Sequence, residues 1–509
     1  MQKHRDHIDF SGYDAVVVGT GFGGSACANE LAQSGMKVLM LERGDWARRD
    51  TQDWNARAIL IEKSYQGPSA LSVKQYNDSE YQMVRENEVV GGMSVFYGGA
   101  SLRLREKDFE HWPMSYEDLE PFYARAEHIL EVHGVAGEDP CEPQRSNGYS
   151  YAPIDLTPPA ERIFKAGKKL GLSPFQMPMA INFSNASRTT CIRCLTCDGF
   201  PCQIEAKNDL TKTFLKQAAL SGVDIVVGIQ VVRVVESGEK VKAVLCVDRA
   251  TKRQFEIVAP LVIIAGGALQ SPALLLRSKL NHFPQHHLMG RYLMRHCNAV
   301  VAGVFPFRTN VKREFHKQIC FTDFYEDFRA TDKMATGVVQ DIYSPDAVVL
   351  KHFAPNGLKT AAALSAGFLQ NLLCVAEDEP QYENGVSLSE QADIFGVAQA
   401  QITHHYSKRD CDRRDYLIGK AKQILRKAGA LFFHTYQIDT FSHGVGSVRM
   451  GADPDYSVLD SHCRFRGIEN LFVVDGSTFP TSGGVNPSLT IAANALRVGD
   501  YISKTFRNI

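Results

Sequence analysis

A chain of 509 residues is too long for one ordinary compact domain and implies two or three. Its 44% hydrophobic and 22% charged residues are those of a globular protein with a sizeable core. Lys plus Arg (56) nearly balances Asp plus Glu (57), which leaves no positive excess for phosphates and sets nucleic acid aside as a partner.

The N-terminus, Met1–Phe10, is polar and lacks the apolar core of a secretory signal. No stretch approaches the roughly 18 uninterrupted apolar residues of a membrane span. The expectation is a soluble, cytoplasmic protein whose twelve cysteines stay reduced.

The first organised unit is Asp14-Ala-Val-Val-Val-Gly19-Thr-Gly21-Phe-Gly-Gly24: a short apolar strand, a tight glycine turn, then a helix over Ser25–Gln33 that Gly35 ends. A second strand, Lys37–Leu41, runs into Glu42. Gly19 makes the turn, Gly21 lets backbone approach a pyrophosphate, and Gly24 permits close helix–strand packing. The helix N-terminus offers amide hydrogens to the phosphates. Glu42 can accept hydrogen bonds from ribose hydroxyls. The motif predicts a bound dinucleotide and by itself leaves FAD and NAD open.

Next comes a second glycine cluster, Val89–Ser101, able to lay backbone amides against a flat ring or phosphate; Phe96 and Tyr97 are embedded in it. Four of the twelve cysteines then fall within Cys191-x2-Cys194-x2-Cys197-x4-Cys202. Such spacing is compatible with an iron–sulfur cluster, with a four-thiolate zinc site, or with reduced thiols and no metal.

Strand-like runs follow at Val223–Val235, Lys242–Val247 and Leu261–Ala265, the last leading into a helix through Gly266 to Leu276. Val300–Gln401 alternates irregularly and predicts a mostly β second domain. Lys408–Arg414 reads as a solvated helix start, and Leu417, Ala421, Ile424, Leu425 and Ala428 continue that helix to Gly429. His286-His287 and His404-His405 are adjacent pairs, expected to be ordinary loop or surface residues. Toward the end stand His443-Gly-Val-Gly446-Ser-Val-Arg449-Met450-Gly451, Val473-Val-Asp475-Gly476-Ser477 and Asn486-Pro487-Ser-Leu-Thr490. The return of a strand-like, glycine-rich stretch at Leu471–Asn486 predicts a discontinuous cofactor domain whose two ends meet.

With these motifs in this order, nearly the whole chain resembles the glucose–methanol–choline (GMC) oxidoreductases, FAD enzymes that oxidise alcohols. Within that family it resembles bacterial sugar and aminosugar oxidoreductases, including pyranose-oxidase-like enzymes and aminoglycoside 6′-dehydrogenases. The resemblance implies an α/β fold, with a Rossmann-like FAD-binding domain over 1–110, 203–299 and 436–509. A discontinuous, mostly β-sheet substrate-binding domain would take 111–202 and 300–435.

The resemblance further implies non-covalent FAD held by Gly19, Gly21, Phe22, Gly24, Glu42, Gly91, Gly92, Ser94, Tyr97, Gly98, Val231, Asp475, Gly476 and Pro487. Asp475 would lie near the ribityl chain or pyrophosphate, and the Val231 backbone near the adenine. Some relatives attach FAD through a histidine at the place of Phe96, and phenylalanine has no nucleophilic nitrogen to do so. The family's base corresponds to His443 and its orienting partner to Asn486, with Arg449 structural. A neutral imidazole suits removal of a hydroxyl proton while hydride leaves carbon. Asparagine cannot titrate and so orients the alcohol without competing for its proton. Some bacterial sugar dehydrogenases of the family are similar at Cys191–Cys202 and carry an iron–sulfur cluster.

The implied substrate is a carbohydrate-like alcohol, and the electron acceptor is oxygen, a quinone or a protein carrier. The competing readings are an NAD-dependent dehydrogenase and a flavin/iron–sulfur dehydrogenase serving a carrier.

Overall fold

A computed structural model describes residues 10–75 and 80–506. The polar stretch Met1–Phe10 thus lies outside the described residues except for Phe10.

The first glycine motif folds into the centre of a parallel sheet. Strand Ala15–Val18 pairs with Leu261–Ile264 on one side and Val38–Glu42 on the other. Leu471–Val473 and Asp224–Val227 form the two edges, so the order is 471–473, 261–264, 15–18, 38–42, 224–227. The three inner strands are buried along their whole length. That explains why they read as unbroken apolar runs: a parallel sheet is covered on both faces and has no wet side to encode. The helix Phe22–Gln33 follows the turn, and the last helix, Ser488–Thr505, packs against it. They meet closely at Gly499, where a Cβ would stand 2.8 Å from that of Glu30. Both ends of the described chain therefore build one sheet-and-helix layer.

The run Val223–Val235 is two strands rather than one. Gly228, left-handed at φ 71°, breaks it by donating its N–H to Gly44 O at 3.2 Å. Beyond the break, Ile229–Ser237, Lys240–Asp248 and Gln254–Val258 form an antiparallel three-stranded sheet.

The other half of the molecule is a six-stranded antiparallel sheet ordered 432–437, 299–304, 369–376, 337–342, 319–321, 175–176. Val300–Gln401 contributes most of it but also holds short helices, Ala347–Phe353 and Lys359–Ser365. A fourth sheet joins strands 385–392 and 398–404 to 66–75 and 82–87. It ties the N-terminal part of the chain to the second half.

Lys408–Ala428 is one helix, opened by a reciprocal Ser407/Asp410 capping box and closed by Gly429 at φ 109°. Leu417, Ala421, Ile424 and Leu425 are wholly buried against Val301, Leu372 and Cys374 of the sheet. Burial of the three larger side chains contributes about 1.5–3 kcal/mol each. The expectation that Lys408–Arg414 is a solvated helix start holds for the exposed Lys408, Arg409 and Asp412 and needs correction for the rest of the run. Asp410 and Arg413 are buried and ion-paired at 2.6 Å, and Arg413 also reaches Asp332 at 2.8 Å. The cap turns this first turn toward the sheet, and opposite charges travel inward together because neither is tolerable there alone.

Candidate active site

At the first turn Gly19 has φ 103°, and a Cβ there would stand 2.4 Å from Ala265 O. A Cβ on Gly24 would stand 2.2 Å from Gly19 O, which is the close packing the motif demands. Gly21 is different: a Cβ there meets nothing within 4 Å, and no side chain caps the amides that open the helix. Open space before uncapped amides is what a pyrophosphate needs. Glu42, buried at the end of its strand, accepts from Thr20 N and Oγ1 (3.2 and 2.6 Å) and from Gly44 N (2.9 Å). Thr20 Oγ1 in turn accepts from Gly91 N at 3.0 Å. Thr20 thus ties Glu42 to the second glycine cluster, a role hidden in a position the motif leaves free.

Gly91 and Gly92 are both left-handed, and a Cβ on Gly92 would lie 3.3 Å from Gly21 Cα. The second cluster therefore crosses over the first turn. Ser94 Oγ braces the crossing, donating to Gly91 O and accepting from Leu210 N. Phe22 and Tyr97 meet edge to face at 5.4 Å. Phe96 is buried against Tyr65. Gly98 has no room for a side chain, since its Cβ would fall 2.3 Å from Asp198 and 2.5 Å from Lys317.

From the C-terminal segment, Asp475 accepts from Ser477 N, Gly267 N and Ser271 Oγ. Its Cα would be 2.9 Å from a Cβ on Gly23, so it lies against the start of the first helix. Gly476 accepts from Gly446 N, and Pro487 caps the last helix. Val231 is buried in the three-stranded sheet. Arg449 stacks 3.6 Å over Tyr292 and donates to Tyr456 O.

The two residues expected to perform chemistry are brought together. Asn486 Nδ2 lies 3.5 Å from His443 Nε2, and Asn486 Oδ1 accepts from Gln340 Nε2 at 2.8 Å. On the other side of the ring, His443 Nδ1 is 2.9 Å from His296 Nδ1. Burial pushes the His443 pKa well below its ordinary value, and His296 and Lys317 act in the same sense, opposed by Asp378. The ring is therefore neutral at neutral pH.

The pairing has a simple cause. Met294 and Val445 exchange both backbone hydrogen bonds (2.9 and 2.8 Å) as an antiparallel bridge. Two residues onward on one segment and two back on the other places His296 opposite His443. Beneath them Asp378 accepts from the N–H groups of Arg295 and His296 and from Ser482 Oγ. His404 is buried 3.7 Å from Asp378, not a loop or surface residue, because its strand carries it inward. His286 and His287 are exposed.

Lys317, buried and paired with Asp198 at 2.5 Å, links this region to the cysteine run. That run is a loop packed on the second glycine cluster: Gly199 N donates to Phe96 O, and Lys207 Nζ donates to Tyr97 O, Cys197 O and Phe200 O. Cys191 and Cys194 accept from Arg193 N and Thr196 Oγ1. Burial pushes the Cys191 thiol up to about 12. Among the described residues no group of three or more His, Cys, Asp or Glu side chains is placed to hold a metal ion.

Comparison with known proteins gives the family. Residues 13–298 and 380–495 match two family models, both described as GMC oxidoreductase. The chain is 31% identical to 6'''-hydroxyparomomycin C oxidase of Streptomyces lividus, over 98% of this chain and 94% of that protein. It is also 31% identical to paromamine 6'-oxidase of Streptomyces fradiae, over 98% and 95%. The crystal structure of pyridoxine 4-oxidase from Mesorbium loti shares the fold, with a TM-score of 0.68 at 19% identity, covering 98% of this chain and 100% of that one. No helix among the described residues is long and apolar enough to cross a membrane. The chain belongs to the GMC oxidoreductase family, and it is an FAD-dependent oxidoreductase of alcohols.

Proposed function

We propose that this enzyme oxidises an alcohol carbon of a sugar, aminosugar or related polyol, with His443 as general base and Asn486 orienting the substrate oxygen. The observation that carries the reading is the facing of His443 Nε2 and Asn486 Nδ2 across 3.5 Å. One group accepts a proton, the other donates a hydrogen bond, and both can address one hydroxyl. The aminoglycoside names of the two 31% relatives support the substrate class.

FAD supplies the hydride acceptor when bound. Gly21, the uncapped amides after it, Gly91 and Gly92 would hold its pyrophosphate, with Glu42 and the Val231 backbone on the adenosine side. Asp475, Gly476 and Pro487 would hold the ribityl side. Phe96 offers no nitrogen for attachment, so the flavin is non-covalent. Residues 1–110, 203–299 and 436–509 would form the FAD-binding domain, with 111–202 and 300–435 forming the substrate-binding domain. Sheet membership supports this division except for strands 66–75 and 82–87, which join the second half. No metal at Cys191–Cys202 enters the reading, and oxygen, a quinone or a protein carrier takes the electrons afterwards.

The reaction needs this chain to exclude a competing proton donor from the base. The depressed basicity of His443 keeps it unprotonated, and Asn486 cannot titrate. General-base catalysis contributes about 10²–10⁴-fold. His443→Ala is therefore expected to lower kcat on the best aminosugar alcohol by at least about 10²-fold while flavin content stays unchanged. Full turnover in that variant would refute the assignment.

A further inference from the structure

His296 has no assigned role, yet it is the nearest neighbour of the candidate base on the side away from Asn486. Its ring is buried, and its Nε2 lies 3.2 Å from Ser482 O and 2.9 Å from Gly483 O. Carbonyl oxygens only accept, so Nε2 of His296 carries the hydrogen. A neutral imidazole has one N–H. Nδ1 of His296 is then a lone pair, and it faces His443 Nδ1 at 2.9 Å. Hydrogen bonding there requires His443 Nδ1 to donate, which leaves the lone pair of His443 on Nε2.

A second chain of contacts leads independently to the same tautomer. Gln340 Nε2 donates to Asn486 Oδ1, which turns the Asn486 amide N–H toward His443 Nε2. That nitrogen must accept. The backbone carbonyls of Ser482 and Gly483 thus set His296, and His296 sets His443.

We propose that His296 is a positioning residue that fixes the tautomer of His443, so that the unprotonated Nε2 faces the alcohol. The proposal rests on the reading of His443 as base. When the alcohol O–H bond breaks, an Nε2–H bond forms and the oxygen's electrons close the C=O bond; FAD, when bound, would supply the acceptor for the hydride that leaves carbon. The Nδ1–H of His443 keeps its acceptor throughout. A protonated His296 would reverse the relay, donating to His443 Nδ1 and placing a hydrogen on the catalytic nitrogen. Burial disfavours that state, and Lys317 adds positive charge near His443. Asp378 and His404 are the other titratable groups beneath the pair, and Asp378 takes the His296 backbone N–H rather than its ring. The same backbone's carbonyl accepts from Tyr406 Oη.

Two variants separate positioning from scaffolding. Asn at 296 places an amide oxygen where Nδ1 stands, keeping the acceptor for His443 but losing the links to Ser482 and Gly483. Gln reaches the Nε2 position, keeping those links but losing the acceptor. With His296→Gln, kcat is expected to fall about 10–100-fold, a substantial share of a general-base contribution, with KM and flavin content little changed. His296→Asn should recover most of that loss. The opposite order would overturn the proposal and make His296 a brace for the 482–483 turn.

His443→Ala in the same assay tests the underlying reading, because full turnover there sinks the base assignment whichever order the 296 variants take. If neither 296 variant folds, 15N NMR of histidine-labelled wild-type holoenzyme decides. His443 Nε2 is expected to resonate as a nitrogen without hydrogen, and an N–H signal at Nε2 would overturn the proposal.

Discussion

At the scale of single residues, the site is organised around keeping one nitrogen free. Burial depresses the basicity of His443, His296 and His404 alike, and burial pushes His316 down to about 4. A depressed folded pKa means the unfolded chain takes up protons first as pH falls. The native state therefore loses stability as pH drops through the ordinary histidine range near 6.5. Activity follows the folded value. We expect kcat/KM to stay level as pH falls through about 6.5 and to decline only below it. An acid limb centred at or above that value, in a pH–rate profile at constant ionic strength, would contradict the neutral pair. Neither His296 nor Gln340 has a sequence signal of its own. His296 gains its meaning from the Met294/Val445 bridge, and Gln340 from a strand of another sheet. By contrast the glycines of the first turn are legible, because their constraint is set by a handful of adjacent residues.

At the scale of elements, helix 408–428 shows how a local pattern is read correctly and its flank misread. The spacing of Leu417, Ala421, Ile424 and Leu425 encodes the buried stripe directly. The charged run before it looks solvated because a sequence displays charges without displaying their partners, here Asp332 for Arg413. Leu417→Ala is expected to cost about 2–5 kcal/mol, seen as a lower melting temperature with flavin content unchanged. The stripe packs on the six-stranded sheet rather than the parallel one, so an equal loss of flavin would show the two to be coupled. The cysteine loop makes the complementary point. Its spacing invites a metal, whereas its observed contacts brace the second glycine cluster through Gly199 and Lys207. The thiols lie near enough to raise one another's pKa, as Cys194 and Cys202 do for Cys191.

At the scale of the whole molecule, the proposed flavin cradle is assembled from segments around residues 19–24, 91–99 and 475–487. A ligand held by all three stabilises their assembly by mass action. Flavin-free protein is expected to melt several degrees below the holoenzyme, regaining the difference on adding FAD. Acid precipitation should release the flavin to the supernatant. A flavin that stays with the precipitate would show covalent attachment and contradict the reading of Phe96.

The amino-acid sequence by itself determined the three inner strands of the parallel sheet, the glycine turn and its helix, and the family resemblance that singled out His443 and Asn486. The strands, turn and helix depend on backbone conformation and periodicity, which are local, whereas His443 and Asn486 were marked by the resemblance alone. Only the tertiary structure decided that Thr20 joins Glu42 to Gly91, that His404 is buried beside Asp378, and that His296 stands opposite His443. Those relations follow from the register between segments far apart in the chain. A hydrogen bond has direction only once both partners are in place.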